Sequence, residues 1–214
     1  PIYFGIDANG GIGDDNLTGG LGEDFLTGGN GADMLNSMGG HDTLYGDCDN
    51  PDLSFCEYEN IQKDGGIDTI NGGEGNDVIV GGFGVDNITG GTGRDTFIFE
   101  VTSDAGDIIS DFNVSDDKIA LFDIIKDSDY AVKKFSDFIT LTQSGQDTVV
   151  NLDPLGTGSA TLQVATLQNV QSSDLTNKNF HGFDKLEEQI TSSGRDYTYL
   201  TVGSDSSTDE KSLG

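Results

Sequence analysis

Eight aspartates recur at one phase of a nine-residue unit, each two places after a glycine and two places before an apolar residue. They are Asp15, Asp24, Asp33, Asp42, Asp68, Asp77, Asp86 and Asp95. Regularly spaced carboxylates amid glycine turns are suited to a hard cation. Ca²⁺ takes about six to eight oxygens from carboxylates and backbone carbonyls, whereas Mg²⁺ keeps its water and demands a stricter octahedron. No His/Cys cluster points to zinc.

The elements that must position these carboxylates follow from the repeat. The units read GGIGDDNLT, GGLGEDFLT, GGNGADMLN and SMGGHDTLY from Gly10, then KDGGIDTIN, GGEGNDVIV, GGFGVDNIT and GGTGRDTFI from Lys63. The fourth position is always glycine, and the eighth is Leu17, Leu26, Leu35, Leu44, Ile70, Ile79, Ile88 or Phe97. Glycine reaches positive φ without a Cβ penalty, so the first four residues can turn tightly. The last three suit a short strand whose middle side chain points inward. Nine residues then make half a winding, and units n and n+2 stack on the same edge. A flexible Gly/Asp linker would not keep an apolar residue at the eighth position throughout.

Stacking pairs Asp15 with Asp33, Asp24 with Asp42, Asp68 with Asp86, and Asp77 with Asp95. Continuity through the interruption adds Asp33–Asp68 and Asp42–Asp77. Unneutralised, each pair is repulsive. A shared Ca²⁺ removes the repulsion, for an expected total of about four to six ions. The interruption, residues 46–62, is close to one winding long and has Leu53 near an inward phase, which favours an irregular coil over a looped-out excursion. It holds Cys48 and Cys56, a disulfide pair or two buried thiols. Its acidic residues Asp47, Asp49, Asp52, Glu57 and Glu59 lack the EF-hand spacing, since Tyr58 stands where that loop needs Glu.

These units resemble the G-G-x-G-x-D-x-U-x nonapeptide of the RTX (repeats-in-toxin) family. The resemblance spans about residues 10–182. It implies an all-β parallel β-roll, export by type I secretion machinery, and calcium-driven folding outside the cell. It also implies that the repeat aspartates share Ca²⁺ with turn carbonyls. Those would belong to Gly11, Gly13, Gly20, Gly22, Gly29, Gly31, Gly73, Gly75, Gly82, Gly84, Gly91 and Gly93. Ser37-Met38 and Lys63-Asp64 replace the glycine pair in two units, so their turns are expected to distort.

After Thr96 the runs TFIFE, DIISDF, KIALF, FITLTQ, DTVVNL and ATLQVAT read as strands. Asp116-Asp117 and Ser144-Gly145 are expected in turns, as is Asp153, and a short helix around Tyr130–Lys134. The segment is similar to the flank that follows RTX repeats, where D-x-I-x-D-F and D-K-I-x-L recur; here those are Asp107–Phe112 and Asp117–Leu121. Physically it would cap a solenoid end that otherwise exposes unpaired strand groups. The expected organisation is a lead-in at 1–9, a roll at 10–98, a β-rich cap at 99–182, and a polar tail at 183–214. The tail is either an export signal or an ordinary terminus.

A formal charge of -28, with 38 acidic against 10 basic residues, disfavours nucleic acid and anionic membranes as partners. No apolar run is long enough to insert in a bilayer. The start at Pro1 suggests a piece of a longer polypeptide. H-E-x-x-H and G-x-S-x-G are absent, and His41 and His181 stand alone, so no enzyme activity is expected of this sequence. The expected role is a non-enzymatic calcium-binding module at the cell surface or in the medium, serving a large bacterial adhesin. The alternative is the targeting domain of a secreted protease or lipase.

Overall fold

The computed structural model describes residues 3–47, 65–99, 106–121, 135–158 and 162–181. Each repeat ends in a strand, because its closing residues alternate polar, apolar and polar around one inward side chain. In chain order these are β1 (Asp7–Ile12), β2 (Asn16–Thr18), β3 (Phe25–Asn30), β4 (Met34–Asn36), β5 (Thr43–Tyr45), β6 (Thr69–Glu74), β7 (Val78–Val80), β8 (Asn87–Thr92) and β9 (Thr96–Phe99). Then follow β10 (Asp107–Ile109), β11 (Lys118–Leu121), the one-turn helix α1 (Phe135–Phe138), β12 (Ile139–Ser144), β13 (Asp147–Leu152), β14 (Leu162–Leu167) and β15 (Phe180–His181).

Among the described residues the strands form two sheets, in the orders β1-β3-β5-β7-β9-β11-β15 and β12-β13-β14-β10-β8-β6-β4-β2. Successive repeats therefore alternate between sheets, and repeats n and n+2 pair in parallel: a parallel β-roll. The inward residues stack in register. One column runs Ala8, Leu26, Leu44, Ile79, Phe97, Ile119, Phe180, and the other Leu17, Leu35, Ile70, Ile88, Ile109, Leu167. From Leu26 onward the first column is fully buried, and its two phenylalanines, Phe97 and Phe180, lie towards the C-terminal end.

The parallel ladders run on past residue 98. β10 pairs with β8 and β11 with β9, so DIISDF and DKIAL add windings before the antiparallel strands β12, β13 and β14 close one sheet. The second aspartate of the first motif, Asp111, accepts from the Gly90 and Gly91 N–H groups at 2.9 and 2.8 Å and finishes their edge. Phe97 meets Phe112 at 5.9 Å and Phe135 meets Phe180 at 5.0 Å between ring centres, filling the capped end.

The irregular coil expected at 46–62 has no place in these ladders. Leu35 pairs directly with Ile70 and Leu44 with Ile79, so no winding lies between them. Gly46 and Asp47 begin a half-winding that Gly65 and Gly66 complete. Cys48, Cys56, Leu53, Lys63, Asp64, four of the five acidic residues and Tyr130–Lys134 lie outside the described residues, as does 183–214.

The turn of the fourth unit keeps its shape instead of distorting. Met38 takes φ 77°, the left-handed conformation that its neighbours reach with glycine. At Gly75, with φ 138°, a Cβ would overlap the Gly40 carbonyl oxygen, so both the angle and the close approach of windings require glycine. Asp153, as expected, closes a turn, its carboxylate accepting from the N–H groups of Leu155 and Thr157. Leu44, wholly buried at the middle of its column, gives a direct check on the core. Leu44→Ala should cost about 2–5 kcal/mol, read as a lowered urea midpoint in calcium-saturated buffer.

Candidate metal centre

Every repeat aspartate spans two windings. The Oδ1 of Asp33 accepts from the Asp15 N–H at 2.8 Å, that of Asp68 from Asp33 at 2.7 Å, and that of Asp86 from Asp68 at 2.8 Å. On the opposite edge Asp42 accepts from Asp24 at 2.8 Å, Asp77 from Asp42 at 2.9 Å, and Asp95 from Asp77 at 3.0 Å. All six adjacent pairs expected from the repeat are brought together, including the two that cross the interruption. Asp24 itself accepts from the Ile6 N–H at 2.7 Å, which carries the pattern back into the lead-in.

The second carboxylate oxygen has a different fate. Oδ2 of Asp15, Asp33, Asp42, Asp68, Asp77, Asp86 and Asp95 is buried without a hydrogen-bond partner. It faces the space beside the first residue of its own unit, where the matching carbonyl of the next winding also points. A Cβ built on Gly10 would lie 2.6 Å from both Asp15 Oδ2 and the Gly28 carbonyl oxygen. On Gly72 it would lie 2.5 Å from Asp77 Oδ2 and the Gly90 oxygen. Gly28 and Gly46 line equivalent cradles with Asp33 and Asp68. Acceptors thus converge on a small gap with no proton donor in it, an arrangement that buried polar groups avoid unless a cation joins them.

The second- and fourth-position glycines stack turn on turn. At the second and fourth positions, Gly11, Gly13, Gly73 and Gly75 direct their oxygens at the matching glycines of the next winding, Gly29, Gly31, Gly91 and Gly93. Gly84 meets the Gly66 oxygen in the same way, and Gly82 packs on Asp47. Gly22 aims its oxygen at Gly40, while the Gly20 N–H donates to Asp24 Oδ2 at 2.5 Å. The first-position carbonyls lie beside the carboxylates, and a Cβ on the fourth-position Gly40 or Gly84 would also stand near one, 2.8 Å from Asp42 Oδ1 and 3.3 Å from Asp86 Oδ1.

Two ladder aspartates were not read from the sequence. Asp107 Oδ1 accepts from the Asp86 N–H at 3.0 Å, and Asp117 Oδ1 from the Asp95 N–H at 2.9 Å. A Cβ on Gly81 would stand 2.7 Å from Oδ2 of both Asp86 and Asp107. Asp117, expected in a turn, is a buried rung whose Oδ2 accepts from the Asn113 N–H at 2.8 Å. The signal was present: both precede an apolar residue by two places, as the repeat aspartates do.

Burial dominates the electrostatics. It pushes the carboxyl of Asp68 up to about 7 and those of Asp77, Asp86 and Asp117 to about 6, against the opposing pull of the backbone N–H each accepts from. Burial raises Asp33, Asp42 and Asp95 as well, again against the backbone N–H each accepts from. No cluster of three or more His, Cys, Asp or Glu side chains suited to a metal occurs among the described residues. A cation here must therefore draw on paired carboxylates plus main-chain oxygens, a donor set that fits calcium and not zinc.

Stacked nine-residue half-windings with aspartate rungs on both edges define a calcium-binding repeat β-roll. Residues 9–46 and 64–97 match the RTX calcium-binding nonapeptide repeat in four copies, so the chain carries RTX repeats. Solved structures similar to it include two subunits of the Azotobacter vinelandii mannuronan C5-epimerase. AlgE6R3 is 23% identical, with 95% of this chain and 94% of that one covered and a TM-score of 0.40. AlgE6R2 is 22% identical, with 82% and 91% covered and a TM-score of 0.43. The extracellular lipase LipA of Serratia marcescens is 17% identical, with 84% of this chain and 40% of that one covered and a TM-score of 0.35. No curated protein sequence matches.

The raised carboxyls fix a pH response for the metal-free chain. A group that holds its proton more tightly folded than unfolded stabilises the fold at low pH, and that stability is lost as pH rises through the folded value. Without calcium, strand content should therefore increase on acidification from pH 7 towards pH 5, followed by far-ultraviolet circular dichroism. Calcium binding near pH 6.5 should release protons, measurable as a buffer-dependent binding enthalpy.

Proposed function

We propose that Ca²⁺ occupies the gaps between stacked aspartates and that this binding drives folding of the module. Its ligands are the carboxylates of Asp15, Asp24, Asp33, Asp42, Asp68, Asp77, Asp86 and Asp95 together with turn carbonyls. The six gaps between these residues hold about four to six ions. The observation that carries the reading is the pair of columns of buried Oδ2 atoms facing carbonyl oxygens with no donor between them.

In a cell with very low free calcium, the acidic, glycine-rich chain gains too little from its narrow core to offset chain entropy. At roughly millimolar calcium outside, each site with Kd on the order of 10⁻⁴ M contributes about 1.4 kcal/mol by mass action, and several together decide the fold. The module so serves export through type I machinery and extracellular folding of a larger protein, which we take to be a surface adhesin. The extended β-rich flank and the lack of catalytic motifs in this sequence fit an adhesin and a secreted hydrolase equally. A catalytic motif found upstream of Pro1 would instead assign the module to a secreted hydrolase.

Circular dichroism with calcium and with excess EGTA tests the switch. Calcium should restore strand signal that the chelator abolishes near pH 7.5, and an unchanged spectrum would sink the reading. Asp68→Ala, which opens two gaps at the middle of one edge, should raise the calcium midpoint of folding several-fold.

A further inference from the structure

Seven first-position residues in the described windings are glycine: Gly10, Gly19, Gly28, Gly46, Gly72, Gly81 and Gly90. The eighth is Ser37, fully buried, and it breaks the pattern chemically as well as sterically. Where the other windings leave an acceptor-lined gap, Ser37 places a Cβ and a hydroxyl. The hydroxyl donates to the Gly72 carbonyl oxygen, and lies 3.5 Å from that of Asn71. Gly72 is the first-position residue of the next winding, so this carbonyl corresponds to those of Gly28 and Gly90 in the cradles of Gly10 and Gly72. A side-chain proton donor thus sits at the place where the cradles of Gly10, Gly28, Gly46 and Gly72 present a carboxylate and a carbonyl oxygen.

We propose that the rung between Asp42 and Asp77 is closed by the Ser37 hydroxyl and takes no calcium ion, so Ser37 sets the number of ions the roll holds. Two physical terms act together. The Cβ and Oγ fill the volume that the glycine cradles leave open, and the hydrogen bond satisfies one of the oxygens that a cation would otherwise coordinate. Asp42 and Asp77 remain tied through the Asp42 N–H, at 2.9 Å from Asp77 Oδ1, so the winding stacks without metal. This rung also crosses the interruption, its partners 35 residues apart where ordinary rungs are 18 apart. Closing a longer loop is entropically less favourable, and here it is secured by a contact that does not wait for calcium.

The inference rests on calcium filling the other gaps, and counting ions separates the two claims. Native mass spectrometry of the calcium-saturated chain gives the number bound, with circular dichroism as a check on folding. Ser37→Gly should gain one ion over the unaltered protein. Gly28→Ser, which installs the same hydroxyl against the Gly46 carbonyl, should lose one. An unchanged count in folded Ser37→Gly overturns the assignment. If that variant fails to fold, an unchanged count in Gly28→Ser does so instead. An unaltered protein that binds no calcium at all sinks the parent reading.

Discussion

The structure depends on one hydrogen bond repeated along two edges. An aspartate carboxylate reaches across to the main-chain N–H of the aspartate one winding earlier, which fixes the register of that winding to within a residue. Because the bond uses a single oxygen, it leaves the other turned into the interior of the edge. The same side chain thereby aligns the stack and charges the space between its layers. In a roll whose core is one apolar side chain per half-winding, this alignment cannot come from packing alone, since leucines at 18-residue spacing would tolerate sliding.

That division of labour explains why glycine is confined to certain phases. At the first position it leaves room for whatever joins the carboxylate to the neighbouring carbonyl. At the second and fourth positions it lets successive turns approach backbone to backbone. Met38 indicates that the angular requirement can be met by another residue on the outer surface of a turn, half exposed as it is. The volume requirement at the first position has no such latitude: adding one methylene and a hydroxyl at Ser37 changes what the gap contains.

Much of the site was legible in the sequence because the period is rigid. A spacing of 18 residues between stacked aspartates, read from the units alone, gives every rung within each block. What escaped were the rungs beyond the repeat blocks, whose spacing departs from that number. Asp86 to Asp107 is 21 residues and Asp95 to Asp117 is 22, so the windings built by DIISDF and DKIAL look like a different segment although they repeat the same Asp-x-apolar element. The interruption misled for the opposite reason, its length falling close to the period by coincidence. Sequence periodicity reports the windings that are uniform; hydrogen bonding reports those that are equivalent.

The widening of the inward column from Ala8 to Phe97 and Phe180 gives the molecule a polarity that its repeat does not have. In a stack where each layer touches only its neighbours, stability is a sum of local contributions, and growth starts where they are largest. By side-chain packing alone the aromatic end is that place. Winding would then proceed from Phe180 back towards Ala8, each new layer templated by the one already in place, so that the last part of this region to be translated is the first to set.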